Sequence, residues 1–527
     1  MTTDARGHPA RIPVEQTNNA SFRMKTSIRT QLALTAALVG TAAAGTDTWF
    51  TPLTESALVV PPNGLEELAS PWVTPTGISQ KNAVSMREVE DAVLSPLQSI
   101  VRVPGLGTSA SMFDMLAYDP SGEFLFIPHE TFVGAGVTRY SVYDNSCEVL
   151  FSGDGTGNWA NDYGAFDPCR FTPNGTLFLA EEWSGLGRVV EVMNPFAPAD
   201  QIQTRVLTNF PRVSHEGINF SKKFDDTIYF VDEDRAGSIY KFVMATPGDY
   251  TVGQTFVLVV DAFLGDPSVN APTGWTPDRI GSATWVPLTD ATGTPLPGIP
   301  DPTVDPGRAG RGAADAAGGT PYRRPEDMAV GKLANGNEVI YFTATEEQTV
   351  YSVEMLENRP GNSQGKGHQK GHKGHNDGPS GAAIVRVFAS ETSTPKNVGF
   401  DPTTGVINSP DNLSIDALGN IYIIEDAPNG APGGGDIWFV RDTDNDGVGE
   451  SVDHFMTIQV DGAEATGMIW NPVIKSEFAV CVQHPDSTNL DNVPNGFGDA
   501  VWIFNVTPIP NQEFVEQLDA AEAPFGE

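Results

Sequence analysis

Acidic and other metal-binding side chains recur at the starts of apolar segments along this sequence. They are Asp114; Asp167 and Cys169; His215 and Glu216; Arg324, Glu326 and Asp327; Asp411 and Asn412; and Glu464. Carboxylates and amides are oxygen ligands for hard cations such as Ca²⁺, and imidazole and thiolate groups also suit transition metals. Carboxylates that met at one place would repel one another, and bound cations would relieve that repulsion. These residue types therefore indicate a mixed metal site, beside which the guanidinium of Arg324 suits an oxyanion such as phosphate.

A repeated pattern of turn, apolar strand and polar residues sets the spacing of these positions. Each copy begins with a turn of Asp, Pro, Gly or Asn, continues with three to five apolar residues and ends in acidic or amide side chains. The six copies end at His129 and Glu130, Glu181 and Glu182, Asp232 to Asp234, Glu346 and Glu347, Glu425 and Asp426, and Gln483 and His484. Small repeated sheets bury their faces and protect their edges when they close into a ring. The sequence therefore predicts an all-β fold, a six-bladed β-propeller with long loop insertions.

The predicted ring would bring the polar strand starts together. In a propeller the first strand of each blade lines the central channel, so six sets of ligands would meet at one axial site. For any single residue the alternative is a turn residue that caps a strand. Long insertions are expected at 245–323 and 357–381. Three histidines within 365–375 either ligate a metal or belong to a flexible Gly-rich tether.

Composition limits the classes of partner. The 527 residues include 67 acidic and 31 basic side chains, for a net charge of −36, so no basic surface for nucleic acid is expected. Hydrophobic residues make up 39%, enough for a packed core, and 54 Gly with 41 Pro favour many short strands. Copies of so acidic a protein repel one another, so we expect a monomer. We also expect its partner to be a small molecule.

The N-terminal residues have the order of an export signal. A short basic region follows Met24, then an apolar stretch, then small residues near 42–44. The alternative is a buried helix. The apolar stretch is shorter than the about 20 residues that span a bilayer, and no later segment is long and apolar enough either. We therefore expect a periplasmic or secreted protein without a transmembrane segment. The expected organisation is an extension with signal peptide (1–44), an N-terminal segment (45–100), the propeller (101–510) and an acidic tail (511–527).

A second, local calcium signal lies near the C-terminal end of the predicted propeller. Carboxylates occupy positions 1, 3, 5, 9 and 12 of a loop that has Gly447 at position 6; they are Asp442, Asp444, Asp446, Glu450 and Asp453. This spacing wraps oxygen atoms around Ca²⁺, and the glycine permits the sharp turn. The alternative is an acidic turn without a metal. We expect the loop to be structural, because it would hold a blade loop in place.

Several of these segments resemble the PhoX-type alkaline phosphatases, a family of secreted calcium- and iron-dependent propeller enzymes. Five segments follow the family's order over most of residues 105–505. They are Asp167-Pro168-Cys169 with Gly175 to Glu182, Ser214-His215-Glu216, Arg324-Pro325-Glu326, Ser409-Pro410-Asp411-Asn412, and Gly462 to Gly467 with Gln483-His484-Pro485. The resemblance implies hydrolysis of phosphomonoesters at a calcium–iron cluster in the propeller channel.

The resemblance also implies a role for each matching residue. Cys169 would be a thiolate ligand of Fe³⁺. Glu216 and Glu326 would be further ligands of the cluster, and Arg324 would contact the substrate phosphate. Calcium-side ligands, or residues that support them, would be Asp411, Asn412 and Glu464.

The sequence departs from the family at three places. The glycine pair after the cysteine is replaced by Arg170 and Phe171, and Arg170 either covers the pocket or supplies a second phosphate contact. Ala180 stands where the family has a second cysteine, and the twin-arginine export signal is absent.

Two other functions fit the same residues. Residues 409–420 also resemble a blade of calcium-dependent lactonase or esterase propellers, although those enzymes need no thiolate, which Cys169 would supply. The remaining alternative is a non-catalytic, calcium-stabilised binding module whose altered cysteine loop blocks the pocket.

Overall fold

The computed structural model describes most of the chain from residue 112 onward. The described ranges are 112–144, 146–183, 186–304, 308–356, 381–392, 406–426, 435–458, 463–483 and 499–506, together with the backbone of 58–59 and 78–85. All of them belong to the unit Ala43–Glu527. The predicted export signal, the histidine-rich segment, His484 and the acidic C-terminal residues lie outside these ranges. No helix in the described ranges is long and apolar enough to cross a membrane.

The described elements are almost entirely strands. In the first half of the chain they are β1 (Leu58–Val59), β2 (Ile78–Ser85), β3 (Ala117–Tyr118), β4 (Phe124–Pro128), β5 (Gly136–Ser141), β6 (Ser146–Ser152), β7 (Phe166–Phe171), β8 (Leu177–Glu181), β9 (Val189–Val192), β10 (Thr204–Val206), β11 (Ile218–Phe220), β12 (Thr227–Val231), β13 (Ile239–Met244) and β14 (Gly253–Val260). In the second half they are β15 (Gly281–Pro287), helix α1 (Ala309–Ala317), β16 (Pro325–Lys332), β17 (Glu338–Ala344), β18 (Thr349–Met355), β19 (Ala382–Ser390), β20 (Pro410–Ile415), β21 (Ile421–Glu425), β22 (Gly435–Arg441), β23 (Ser451–Ile458), β24 (Glu464–Trp470), β25 (Glu477–Gln483) and β26 (Ala500–Val506).

Consecutive strands pair antiparallel into meanders. The described strands form sheets in the orders β3-β4-β5-β6, β10-β9-β8-β7, β11-β12-β13-β14-β15-β19-β18-β17-β16, β1-β23-β22-β21-β20 and β2-β26-β25-β24. Two meanders share the nine-stranded sheet because β15 pairs with β19. Strand β2 pairs antiparallel with β26, and β1 pairs parallel with β23. Residues 45–100, predicted as a separate segment, thus contribute strands to two sheets, and the predicted domain boundaries stay predictions.

Apolar side chains pack between each meander and the next. One cluster joins the first and last meanders, because Phe113, Leu125 and Ile127 pack with Val501 and Ile503. The ring of sheets is therefore closed by side-chain packing, as a propeller requires. The predicted β-propeller is confirmed. The blade number of six stays a prediction, since the described strands group into five sheets.

The turns between the first two strands of a meander account for the repeated sequence pattern. Gly122, Gly175, Gly336 and Gly419 have positive φ angles of 68°, 81°, 85° and 88°. Only glycine adopts this conformation without a steric cost, which explains its place in the repeat. Asp416 closes one such turn, since its Oδ1 accepts the N–H groups of Leu418 and Asn420 at 2.9 and 3.0 Å.

The expectation that residues 245–323 form loops is wrong for part of that segment. Strands β14 and β15 and helix α1 lie within it. The run Phe256 to Val260 is apolar and packs in the core, which gives β14 a buried face. Helix α1 is rich in alanine, a strong helix former, and ends at Gly318 with a left-handed φ of 81°.

Replacing Gly187 by alanine should destabilise the protein, whereas replacing Gly312 should not. A Cβ at Gly187 would lie 2.1 Å from the carbonyl oxygens of both Glu181 and Val213, and backbone cannot give way as a side chain can. Gly187→Ala should lower the free energy of unfolding by about 1–3 kcal/mol. Gly312→Ala is the matched control. Its Cβ would meet Arg308 at an ordinary 3.6 Å, inside α1, so this change should raise stability by up to about 1 kcal/mol. Denaturant unfolding of both variants tests the packing, and equal stability would contradict it.

Candidate active site

A strained residue precedes the first strand in four meanders. Met112, Ala165, Arg324 and Ser409 have positive φ angles of 38°, 46°, 52° and 48°. In each case an acidic residue follows two positions later; these are Asp114, Asp167, Glu326 and Asp411. Non-glycine residues in this region cost about 1–3 kcal/mol and persist only where the surrounding structure enforces them. The same backbone device therefore positions an acid in four meanders.

A hydrogen bond places a second polar residue beside each of these starts. The N–H group of a residue that follows the second strand donates to the carbonyl of the strained residue: Glu130 to Met112 at 2.9 Å, Glu182 to Ala165 at 2.8 Å, Thr345 to Arg324 at 3.0 Å and Asp426 to Ser409 at 3.1 Å. Glu233 donates in the same way to Ser214, at 2.8 Å. The polar ends of the repeated pattern therefore lie beside the start of the first strand of the same meander.

Irregular pairing in the first strands displaces their acids from the ladder. The register shifts between Phe166 and Cys169, between Pro325 and Met328, and between Pro410 and Asn412. Each shift contains the acid of that strand. Extra residues at a bulge turn side chains away from the regular alternation, a common feature near active sites.

Mutual electrostatic effects show that these acids meet at one place. Burial raises the pKa of Glu216 well above its usual value, and the charges of Glu326 and Asp114 raise it further. The pKa of Asp114 is likewise raised by burial and then by Glu464 and Asp426. The same holds for other acids of the group, which are Glu130, Glu182, Glu326 and Asp411. We call Asp114, Glu130, Glu182, Glu216, Glu233, Glu326, Asp411, Asp426 and Glu464 the axial acids.

The axial acids contact one another and a few polar partners. Gln483 donates through Nε2 to Glu130 Oε2 at 2.7 Å and to Asp114 Oδ2 at 3.1 Å. Burial raises the pKa of Glu130 and that of Glu182, and the charge of Glu130 raises the pKa of Glu182 further. Some members, such as Glu130 and Asp411, are only half-buried. Part of their surface is therefore accessible, although the surrounding protein desolvates them.

Arg324 is the cation at the centre of this group. Its Nε lies 3.1 Å from Oε1 of Glu326, and it also forms an ion pair with Glu233. These two acids, Glu326 foremost, hold the pKa of Arg324 above its usual value. The side chain keeps 31% of its surface exposed. Part of this side chain is therefore accessible to a ligand.

Arg311 neutralises the acids on either side of Glu233. It lies on α1 and pairs with Asp232 at 2.6 Å and with Asp234 at 2.5 Å. Because Arg311 occupies the two flanking carboxylates, Glu233 is the member of this run that pairs with Arg324.

Cys169 lies apart from these electrostatic contacts. Its side chain packs in an apolar cluster with Phe126, Leu179 and Val190, and burial raises the pKa of its thiol. Asp167, two residues earlier, has both carboxylate oxygens buried without a hydrogen-bond partner among the described groups. Buried polar atoms rarely lack partners, so these oxygens are the better-placed candidate ligands of this strand. The role of Cys169 as an iron ligand stays a prediction.

Two other predicted site residues have structural contacts. Oδ1 of Asn412 accepts the N–H group of Gly467 at 2.7 Å and so links two meanders. The ring of His215 contacts Pro211 O through Nε2 at 3.1 Å, and burial lowers its pKa to about 3. His215 is therefore neutral at physiological pH. The calcium role of Asn412 stays a prediction.

Several axial acids that the sequence analysis did not predict as metal ligands lie just after the second strand of a meander. They include Glu130, Glu182, Glu233 and Asp426, and the repeated pattern already marked those positions as acidic. What the pattern could not supply was the hydrogen bond that brings each one beside a strained strand start.

The predicted calcium loop has converging ligands. Oxygen atoms of Asp442, Asp444, Asp446 and Glu450 all lie within 4.8 Å of one another. Gly447 has the left-handed φ of 89° that the turn requires, and its carbonyl accepts Ser352 Oγ at 2.6 Å. The side chain of Asp453 lies outside the described residues. The loop therefore fits one hard cation and rests against a neighbouring meander.

Comparisons with known proteins agree with this architecture. The family profile described as alkaline phosphatase PhoX matches residues 140–486. The structure of Pseudomonas fluorescens PhoX in complex with vanadate, a transition state analogue, is similar with a TM-score of 0.55 and 15% identity, over 88% of this chain and 98% of that one. A gluconolactonase from Xanthomonas campestris, XC5397, reaches a TM-score of 0.37 at 10% identity, over 85% and 99% of the two chains. The search of curated protein sequences found no match.

The protein stripped of cations should lose stability as pH rises. Burial and mutual repulsion raise the pKa values of six axial acids in the folded state, namely Asp114, Glu130, Glu182, Glu216, Glu326 and Asp411, so folding favours their protonated forms. Their contribution is fully present below the unfolded-state pKa of about 4 and is lost as pH rises through the folded-state values. Thermal unfolding in chelator should therefore show a falling midpoint from pH 5 to 8. Excess Ca²⁺ should remove the fall, and a flat midpoint in chelator would contradict the repulsion.

Calcium bound to the loop should be separable from cations at the axial acids. Asp444→Asn removes one loop carboxylate and should weaken the loop's Ca²⁺ affinity about tenfold or more, because the site depends on ligand charge. Calorimetric titration of the chelator-treated protein measures this. Asp290→Asn is the matched control, since Asp290 also closes an exposed turn, through Thr292 at 2.7 Å, but lies outside the loop. Equal effects of the two changes would mean that the loop does not bind calcium.

Proposed function

The chain belongs to the alkaline phosphatase PhoX family, a family of phosphoester hydrolases, and on this premise we propose that it hydrolyses phosphomonoesters at the axial acids. The observation that carries the proposal is the meeting of many carboxylates around one partly exposed arginine. Carboxylates alone would repel a phosphate dianion. The site therefore needs cations to bind its substrate.

The axial acids fit hard cations. The acids repel one another, and the carboxylate oxygens of Asp167 have no hydrogen-bond partner among the described groups. Both features are expected of oxygen ligands that bound cations would neutralise. We propose Ca²⁺ at Asp411, Asn412 and Glu464, and Fe³⁺ at Glu216, Glu326 and Cys169. Bound cations would supply positive charge against the phosphoryl oxygens and would acidify water.

Arg324 would orient the phosphate. Its planar guanidinium donates two parallel hydrogen bonds to an oxyanion, and its pairs with Glu233 and Glu326 hold the group in one orientation. Charge spreads over the phosphoryl oxygens as the reaction proceeds, so a fixed donor stabilises the transition state more than the ground state.

The placement of Cys169 supports a second candidate. Its thiol lies among apolar side chains, whereas the acids alone could hold calcium. A calcium-dependent lactonase or esterase would use such a site without iron. Iron content therefore separates the two functions.

Export and oligomeric state complete the proposal. The order of residues 24–44 supports a periplasmic or secreted enzyme, and the net charge of −36 supports a monomer. The substrate is a small phosphomonoester, with no nucleic-acid partner.

Replacing Arg324 should impair hydrolysis far more than replacing its neighbour. Arg324→Met keeps the length of the side chain and removes the oxyanion contact, so kcat/KM for p-nitrophenyl phosphate at alkaline pH should fall about 10²–10³-fold. Arg323→Met is the matched control, because the Arg323 guanidinium pairs with Glu346 and donates to Ala271 O at 2.9 Å. The control should stay within a few-fold of the original activity. Metal content of each variant separates a lost phosphate contact from lost metal, and equal activities would contradict the role of Arg324.

A further inference from the structure

A cavity of about 230 Å³ lies farther along the first strands, past the axial acids. The first strands start at the axial acids, and the cavity is lined by residues that follow them, such as Met115 after Asp114 and Asp327 after Glu326. Lys222 lines it too, comes just after the end of β11 and is exposed. The cavity therefore faces the opposite end of these strands.

The two sides of this cavity differ in chemistry. Strands β7 and β16 and the segment of β11 that continues to Lys222 contribute the polar side chains Arg170, Asn219, Lys222 and Asp327, and β16 adds Met328, Ala329 and Val330. The segment before β3 and strands β20 and β24 contribute mainly apolar residues, which include Leu116, Leu413, Ile415, Met468 and Trp470. A ligand that filled the space would have a charged end and an apolar body.

The charged wall has more positive than negative groups. Arg170 and Lys222 are its cations and Asp327 is its acid, which leaves a formal charge of +1. Arg170 donates through Nε to Ile218 O at 3.1 Å and lies 3.8 Å from Asp327 Oδ1, too far for a hydrogen bond. Asp327 instead accepts the N–H groups of Met328 at 2.6 Å and Leu413 at 3.1 Å.

The two cations lie close enough to affect each other. Although the Lys222 side chain reaches the surface, desolvation by the surrounding protein lowers its pKa; the charge of Glu338 raises that pKa, and the charge of Arg170 lowers it. Glu338 does not line the cavity and is held by other donors: it accepts Ser221 Oγ at 2.8 Å, Tyr229 OH at 2.9 Å and the N–H groups of Lys222 and Lys223 at 2.7 and 2.9 Å. Two like charges that face one cavity repel each other, and an anion between them would relieve this.

We propose that this cavity binds a small organic anion, with its phosphate, phosphonate or carboxylate group against Arg170 and Lys222 and its apolar body against the Trp470 wall. The site is distinct from the axial acids and from Arg324. It does not depend on phosphoester hydrolysis, since it would bind such an anion whatever reaction the axial acids perform.

Calorimetric titration of the metal-loaded protein with phenylphosphonate, which is not hydrolysed, tests the site. Lys222→Met should weaken one class of binding site at least tenfold. Lys223→Met is the matched control: it removes the same charge from the next residue, whose ammonium lies over the Phe224 ring, and it should change that binding less than twofold. Arg324→Met should leave the Lys222-dependent site intact. This holds even if the protein hydrolyses no phosphoester.

Three outcomes would overturn the proposal. The first is unchanged binding in Lys222→Met, and the second is equal weakening by Lys222→Met and Lys223→Met, which would reflect overall charge. The third concerns the apolar wall. Methylphosphonate should bind the Lys222-dependent site at least fivefold more weakly than phenylphosphonate, and equal affinity would mean that the wall contacts no ligand.

Discussion

Repulsion among buried carboxylates is the constraint on which the rest of this structure depends. Six of the axial acids, such as Asp114, Glu216 and Asp411, have a raised pKa because burial and neighbouring charges disfavour their charged forms. A folded protein keeps such a group only if other forces hold it together, since isolated buried charges are costly. Bound cations reverse the sign of the interaction and make the same acids attractive ligands. Folding, metal binding and the proposed chemistry are thus coupled through one set of charges.

The closed ring supplies the force that holds the acids together. Apolar clusters between consecutive meanders, including the one between the first and the last, leave little freedom for the first strands. Packing of this kind can maintain the left-handed backbone at Ala165, Arg324 and Ser409, which alone would relax. The strained residues precede the acids by two positions, so the unfavourable backbone conformations are found at the candidate site.

The sequence predicted the repeat, the propeller and the positions that carry acids, because turn glycines and strand periodicity are local signals. It could not predict pairings between distant segments, such as β2 with β26, since nothing local specifies them. Strand β14 was missed within a segment rich in proline and glycine. The sequence also could not predict the bulges that turn Glu326 and Asp411 away from regular strand pairing, or the apolar surroundings of Cys169. These features depend on contacts with neighbouring meanders. The acidic loop was predicted as one cluster because its carboxylates lie close together in sequence, and its binding of calcium stays a prediction.

Counting bound metal tests the central claim most directly. Protein purified without chelator should contain calcium and iron by elemental analysis. Glu326→Gln, which removes one axial charge, should lower the metal content per chain while Asp290→Asn leaves it unchanged. Iron together with hydrolysis of p-nitrophenyl phosphate that depends on calcium is the result this account predicts. Protein that carries no metal beyond one calcium in the loop, yet stays folded at neutral pH, would contradict it.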